Sequence, residues 1–204
     1  MTMKEKETHE LYPEHPCIAL CDPLAHLLGA GEGYFVYHFW DAVKLSGHAC
    51  PTVAGAFLMT IHGLKALYEE CTPIRGRIRI TVPGPASAGH NGPISQVMTL
   101  ITGAAADNGF QGLNGKHARN GLMTFGEPGK PFIFERADTG QRVGVSYDPS
   151  SIPPHPDMNG LMQQVMRGDA DADVQHRFGE LWRERVVAIL EDDGKSTITL
   201  SHVD

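Results

Sequence analysis

The chain has 204 residues with a formal net charge of −7, and 41% of its residues are hydrophobic. This length suits one domain with an extension, and it provides enough apolar surface for a core without disulfide support. The composition excludes an intrinsically disordered protein and a disulfide-rich miniprotein. An acidic protein also lacks the basic surface on which phosphate binding depends, so we expect no nucleic-acid partner.

The start of the chain is rich in charge and contains no apolar stretch of the ~7–15 residues that a secretory signal needs. The longest apolar-leaning stretch, residues 51–67, is broken by polar and glycine residues, whereas a membrane span requires ~20 apolar residues. We therefore expect a cytoplasmic protein that contacts no membrane. Its four cysteines are then expected to stay reduced and available for chemistry.

The first predicted elements are short, and a long helix follows them. A helical turn is predicted over residues 22–28, and a strand over residues 34–39, which are mostly aromatic and β-branched. After Cys50, apolar residues recur at the i, i+3, i+4 and i+7 spacing of one buried helical face, at Ala54, Phe57, Leu58, Ile61, Leu64 and Tyr68. Because Pro73 cannot continue a helix, we expect this one to end near Cys71.

Helix and strand patterns then follow one another. Charged and apolar residues alternate over residues 77–82, which predicts a half-exposed strand, and residues 94–106 have the spacing of a second helix. Beyond a glycine-rich segment, three strands are expected over residues 122–125, 132–135 and 142–147. The order of helix, strand, helix and three strands predicts an α+β fold with a mixed sheet.

Residues 150–156 are rich in serine and proline, which is typical of an extended connector. We therefore expect a first domain over residues 1–156 and a C-terminal helical extension over residues 157–204. The extension has helical patterns at 158–167 and 174–191 and a short strand at 197–200. An amphipathic extension packs on the core or on a second copy of the chain, and the latter predicts a homodimer.

The most informative run is Ser46-Gly47-His48-Ala49-Cys50-Pro51-Thr52, directly before the long helix. Proline is favoured at the first helical position, so we expect Cys50 to be the N-cap and Pro51 the first helical residue. A sulfur there lies beside unpaired backbone N–H groups at the positive end of the helix dipole, which favours the thiolate. Together with His48 it would offer mixed S and N ligands to Zn²⁺. The alternative is a helix-capping cysteine and an unrelated loop histidine.

This Gly-His-x-Cys-Pro run resembles the signature of the formylmethanofuran dehydrogenase E-subunit family. The resemblance continues through Ile101-Thr102-Gly103, the glycine-rich residues 109–121 and the strands within residues 132–147. It implies a metal-binding α+β domain, similar to the catalytic domain of glyceraldehyde-3-phosphate dehydrogenases, over residues 22–147. The family pattern carries over to His48 and Cys50, so the resemblance implies that these two residues are metal ligands.

The chain also departs from the family pattern. Ser46 stands where the family often has His, Thr52 where it has Gly, and Ala104 where a Cys commonly follows the Thr-Gly pair. No Cys lies beyond Cys71, whereas many members carry a C-terminal zinc ribbon of paired C-x-x-C. The resemblance therefore implies a stand-alone relative without the ribbon.

Asp41 and His90 are candidate neighbours of the His48–Cys50 pair. Asp41 is a candidate to orient the imidazole of His48, or else an acid in the first turn of a short helix. His90 is a candidate third ligand carried by a glycine-rich loop, or else a solvated loop residue.

Two other segments carry residue types that suit ligand binding. The run His15-Pro16-Cys17, with Cys21 after it, is a candidate to complete a Cys₂His₂ site together with His48 and Cys50, although this strand-like stretch has no turn that would bring its sulfurs together. The glycine-rich residues 109–121 suggest a wall for an anionic ligand near Cys50, or else a purely structural loop. Its basic residues are Lys116, His117 and Arg119.

These observations predict a cytosolic protein that binds Zn²⁺ or another divalent transition metal through His48 and Cys50. Two alternatives are open. One is an enzyme with Cys50 as a thiolate nucleophile and a histidine as its base. The other is an accessory component of a redox-enzyme complex.

Overall fold

A computed structural model describes residues 10–203, and within that range it contains six α-helices and seven β-strands. The helices are α1 (Pro23–Leu27), α2 (Phe39–Ser46), α3 (Pro51–Tyr68), α4 (Asn91–Thr102), α5 (Met158–Arg167) and α6 (Ala172–Asp192). The strands are β1 (Cys17–Cys21), β2 (Tyr34–His38), β3 (Ile78–Val82), β4 (Met123–Phe125), β5 (Phe132–Arg136), β6 (Arg142–Tyr147) and β7 (Ile198–His202).

The main sheet has five strands in the order β4-β3-β5-β6-β7. Strands β3 and β4 are parallel, and every other neighbouring pair in the sheet is antiparallel. Strands β1 and β2 form a separate antiparallel pair. The α+β class, the mixed sheet and the order of helix, strand, helix and three strands are therefore confirmed.

Helix α3 forms the centre of the core. All members of its predicted apolar stripe are buried, and so are residues on its other faces, such as Val53, Met59 and Leu67. The helix packs on the main sheet and against α2, α4 and α6, which explains why it is buried all round instead of along one stripe. Two glycines, Gly55 and Gly63, allow the sheet's aromatic rings to lie directly against its backbone.

Helix α4 begins at Asn91 and ends at Thr102, so it lies a few residues N-terminal to the predicted span. The start is displaced because the side-chain amide of Asn91 donates to the carbonyl oxygens of Pro83 and Pro85, which ties the preceding loop to the first turn. The end is set by Gly103, whose φ of 74° places it in the left-handed conformation of a helix C-cap.

The chain after residue 157 contributes to the same core as the part before it. Strand β7 pairs with β6 at the edge of the main sheet, and Val186, Ile189 and Leu190 of α6 are buried in the core cluster. Helix α5 packs on α6. The helical extension is confirmed, while the domain boundary at 156/157 stays a prediction. None of the helices within residues 10–203 combines the length and apolar character needed to cross a membrane.

Candidate functional site

Cys50 caps the N-terminus of the central helix, as its position before a proline predicts. Its backbone is extended, with φ −153° and ψ 167°, and its carbonyl oxygen accepts the first intrahelical hydrogen bond from Ala54 N at 3.0 Å. The Val53 N–H donates to Cys50 Sγ at 3.4 Å. The sulfur thus receives a backbone N–H at the positive end of an 18-residue helix.

His48 is held in one tautomer by the backbone that precedes it. Its Nδ1 lies 2.9 Å from the carbonyl oxygen of Ser46, and because a carbonyl only accepts, Nδ1 carries the proton. The lone pair of the neutral ring is therefore on Nε2. A hydrogen bond from the other ring nitrogen to a backbone carbonyl is the usual arrangement of metal-ligating histidines. The ring is exposed, so Nε2 is accessible from solution.

Two aromatic side chains from distant parts of the chain fix the backbone around Cys50. The indole Nε1–H of Trp182, on α6, donates to the carbonyl oxygen of Ala49 at 2.8 Å. The hydroxyl of Tyr147, at the end of β6, donates to the carbonyl oxygen of Pro51 at 2.9 Å. Burial raises the pKa of Tyr147 far above its ordinary value, so the phenol stays protonated and remains a donor.

His48, Cys50 and His90 line one cavity of about 410 Å³. His90 occupies the N-cap position of α4, where its side chain makes no capping hydrogen bond. Trp182 lines the same cavity, together with residues of the first turns of α3 and α4. The third candidate ligand therefore faces the same space as the predicted pair.

The three side chains share this cavity without meeting at one point. Within residues 10–203, no three His, Cys, Asp or Glu side chains are close enough together to hold a metal ion. The donor types, one cysteine sulfur and two imidazole nitrogens, are among those that Zn²⁺ accepts. His90 is exposed and its side chain does not cap the helix, so no capping contact holds its ring.

No protein-family model matches the chain, and no curated protein of similar sequence was found. The resemblance to the E-subunit of formylmethanofuran dehydrogenase therefore stays a prediction that rests on the motifs described above.

Asp41 lies elsewhere and has a capping role. Its Oδ2 accepts a hydrogen bond from the backbone N–H of His38 at 2.9 Å, as the third residue of α2 in a capping box. It does not line the cavity of Cys50. The structure therefore supports the interpretation of Asp41 as a first-turn acid, which satisfies a backbone donor at the start of α2.

The second H-x-C run does not contribute to the cavity. Cys17 and Cys21 are at opposite ends of β1, which separates their Cα atoms by roughly 13 Å at the usual rise of a strand. Cys17 Sγ lies 3.5 Å from His15 Nδ1, and none of these three side chains lines the cavity of Cys50. The two side chains lie on the same face of the strand, but this separation keeps the two sulfurs too far apart to share a metal ion.

The glycine-rich loop does not form a wall near Cys50, so that expectation is wrong. Lys116, His117 and Arg119 line a different cavity, shared with Arg75 and Arg77. The loop reaches this place because the 8%-exposed side chain of Arg119 is paired with a buried carboxylate elsewhere in the fold.

Sequence reasoning missed Trp182 and Tyr147 as residues that hold the site. Trp182 lay within the predicted helix of residues 174–191, and Tyr147 ended a predicted strand. Their partners are 133 and 96 residues away in the chain, and no local pattern signals contacts at that separation.

Proposed function

We propose that the chain binds Zn²⁺ or a similar divalent transition metal in the cavity at the start of α3, through His48 and Cys50. The observation that carries this proposal is the 2.9 Å hydrogen bond from His48 Nδ1 to the Ser46 carbonyl, which leaves Nε2 as a free donor of electrons to a metal. The proposal also draws on the motif resemblance to the E-subunit of formylmethanofuran dehydrogenase.

The surroundings of Cys50 suit a ligating thiolate. The Val53 N–H and the helix dipole stabilise negative charge on the sulfur, and a bound divalent cation would stabilise it further. No Lys, Arg, Asp or Glu among the described residues lines the cavity, so no fixed charge there competes with the metal or repels it. Pro51, Val53, Pro93 and Trp182 give the cavity an apolar wall, which strengthens electrostatic contacts within it.

His90 would supply the third protein ligand, because it faces the same cavity from the start of α4. Three protein ligands leave one position of a tetrahedral Zn²⁺ for water or a small ligand. A metal with an open position acts as a Lewis acid or activates its bound water. Chemistry of that kind at this site is part of the proposal.

Metal titration of the purified, chelator-treated protein tests this function. We expect one Zn²⁺ per chain, measured by isothermal titration calorimetry. Co²⁺ should give the absorption of thiolate-to-cobalt charge transfer. Cys50→Ala should abolish that absorption, and His48→Ala should weaken binding by more than the roughly 10–100-fold that the loss of an outer hydrogen bond to a ligand costs.

Matched controls separate this site from adventitious binding. Cys71→Ala removes an exposed cysteine, and His176→Ala removes an exposed histidine on α6. Both should leave the affinity for Zn²⁺ unchanged. His90→Ala should weaken binding without removing the charge-transfer absorption. Equal metal content in wild type, Cys50→Ala and His48→Ala would refute the proposed site.

A thiolate nucleophile at Cys50 is the second candidate function. The half-buried sulfur faces a cavity of about 410 Å³, and His48, whose Nδ1 donates to the Ser46 carbonyl, would present Nε2 as the base on the same cavity. In metal-free protein, Cys50 would then be alkylated by iodoacetamide much faster than the exposed Cys71, and His48→Gln would slow it. A Cys50 that is alkylated no faster than Cys71 excludes this function and leaves the metal site unaffected.

The homodimer and the association with a redox-enzyme complex are also proposals. Sedimentation equilibrium at several concentrations tests the first, with a mass of twice 22.2 kDa expected. Copurification from native extract tests the second, with components of a redox enzyme expected as stoichiometric partners.

A further inference from the structure

A second cavity, of about 460 Å³, lies between the turn before β3 and the glycine-rich loop. Its charged lining consists of Arg75, Arg77, Lys116 and Arg119, with His117 beside them. No acidic side chain of the described part of the chain lines it. This concentration of positive charge stands out in a protein whose formal net charge is −7.

The two inner arginines are fixed in place by Asp22, which is 3% exposed. Arg119 Nη2 donates to Asp22 Oδ1 at 2.6 Å, and Arg75 Nη1 donates to Asp22 Oδ2 at 3.0 Å. The other guanidinium nitrogens of Arg75, Nε and Nη2, donate to the carbonyl oxygens of Ile101 and Leu100 in the last turn of α4, each at 3.1 Å. The inner wall of the cavity is therefore rigid and positively charged before any ligand arrives.

Glycine is required beside this guanidinium pair. A Cβ at Gly76, whose φ is +79°, would overlap Nη1 of Arg119, and a Cβ at Gly103 would lie 3.4 Å from the same atom. The side chain of Arg119 thus occupies space that any other residue at position 76 would fill.

Arg77 and Lys116 form the outer wall and are free to contact a ligand. Both are exposed, and their side chains make no hydrogen bond or ion pair with residues 10–203. They come from two separate segments, the turn before β3 and the tip of the glycine-rich loop, where Leu113 and Lys116 close a tight turn. Two unpaired cations therefore face the cavity in front of two fixed ones.

We propose that this cavity binds the phosphate group of a small phosphomonoester. Arg77 and Lys116 would contact the phosphate oxygens, and the fixed pair of Arg75 and Arg119 would supply the positive background. The proposal is independent of the metal site, because the two cavities share no lining residue.

Charge and volume select this class of ligand. The cavity has four cationic side chains, and the single carboxylate of Asp22 neutralises only one of these charges. The excess of positive charge therefore attracts a dianion more strongly than a monoanion. Guanidinium groups match phosphate oxygens in geometry, and binding by Arg and Lys together is typical of phosphate sites. A volume of about 460 Å³ is in the range of metabolite pockets and leaves room for the organic part. The acidic protein as a whole repels a nucleic-acid polyanion.

Calorimetric titration of the full chain with glycerol 3-phosphate tests the proposal, with succinate as a dicarboxylate of similar charge. We expect glycerol 3-phosphate to bind and succinate to bind at least about tenfold more weakly. Arg77→Ala and Lys116→Ala should each lower the affinity about tenfold, the usual effect of losing a hydrogen bond to a charged group. The double variant should abolish binding, and higher ionic strength should weaken it in wild type.

Arg79→Ala is the matched control, because Arg79 is an exposed arginine on β3 that pairs with Glu135 and lies outside the cavity. It should leave the affinity unchanged. Thermal unfolding of each variant reports whether the fold is intact, and titration with Zn²⁺ should give the same result in all of them. Three outcomes would overturn the proposal: no binding of glycerol 3-phosphate, equal affinity for succinate, or a wild-type affinity in the Arg77→Ala and Lys116→Ala variants.

Discussion

The cavity at Cys50 and the cavity at Arg119 position their polar groups in opposite ways. At Cys50, the backbone is fixed, while Nε2 of His48 and Sγ of Cys50, the atoms that we propose as metal ligands, keep lone pairs available. At Arg119, the charged groups themselves are fixed, because one buried carboxylate holds two guanidinium groups. The first arrangement leaves donor atoms available for a metal. The second arrangement gives its cavity a positive electrostatic potential before any ligand binds.

Ser46 and Asp22 each fix functional side chains by a hydrogen bond, but they do so in different ways. The Ser46 carbonyl selects a tautomer of His48 and carries no net charge. Asp22 makes a buried cation tolerable, because an unpaired guanidinium in that place would lose its solvation without compensation. Loss of the first contact should therefore alter binding, whereas loss of the second should alter folding.

The largest expected effect follows from Asp22→Ala. It leaves Arg119, whose side chain is 8% exposed, as a buried charge without its partner. We expect a loss of about 3–5 kcal/mol in the free energy of unfolding, measured by urea denaturation. Arg79→Ala, which breaks the exposed pair with Glu135, is the control and should cost less than about 1 kcal/mol. A small effect of Asp22→Ala would mean that the arginines find other partners.

Acid should reproduce part of this effect in the wild type. Burial alone would raise the pKa of Asp22, but the hydrogen bond from Arg75 and the charge of Arg119 outweigh it, so that pKa is below its ordinary value. A carboxyl whose pKa is lower in the folded state stabilises the fold above its unfolded pKa, near 3.8. The stabilisation is then lost as the pH falls below that value. In Asp22→Ala this acid-dependent component should be absent from the unfolding free energy between about pH 5 and 2.

Gly55→Ala is expected to have an intermediate effect and to damage the Cys50 cavity alone. A Cβ at this position would overlap the ring of Tyr147, which must then move and give up its hydrogen bond to the Pro51 carbonyl. We expect a loss of about 1–3 kcal/mol in stability together with weaker Zn²⁺ binding. Gly160→Ala, in an open position on α5, should leave the Zn²⁺ affinity unchanged and should raise the stability by up to about 1 kcal/mol. Unchanged metal affinity in Gly55→Ala would show that Tyr147 does not position the site.

Trp182→Phe should have the smallest effect on stability. It keeps an aromatic ring on α6 and removes the hydrogen bond to the Ala49 carbonyl, which costs about 0.5–1.5 kcal/mol. Because Ala49 lies between the two proposed ligands, the affinity for Zn²⁺ should fall while that for glycerol 3-phosphate stays the same. Equal losses at both cavities would mean that the variant acts through the fold as a whole.

The sequence predicted those features that depend on neighbours in the chain. Pro51 after Cys50 defines the start of α3 by local geometry, and the apolar spacing that follows reports a buried helix. Residues 142–147 were predicted with the observed bounds, because the Asp-Thr-Gly sequence at residues 138–140 is typical of the hairpin turn that precedes them. For α4, the amide contacts of Asn91 with the preceding loop displaced the start, and composition does not encode such contacts.

The same limit applies to the candidate sites: contacts between neighbours in the chain were predictable, and contacts between distant residues were not. Cys50 and His48 are two residues apart, and their proximity is a property of the local sequence. Asp22 meets Arg75 and Arg119 across 53 and 97 residues, so the fixed cation pair emerges only when the sheet and the loop are assembled. Residue types alone marked the glycine-rich loop as a candidate anion site but assigned it to the wrong cavity.

The hydrogen bond to the Ala49 carbonyl holds the fluorescent indole of Trp182 beside the proposed metal site. The chain has two tryptophans, and Trp182 is the one that lines the cavity of Cys50. A cation arriving between His48 and Cys50 would change the polarity around the indole, so emission intensity should follow metal occupancy without any attached dye. Trp182→Phe removes that response and retains the emission of Trp40. Ligand screening by intrinsic fluorescence can thus use the unmodified chain.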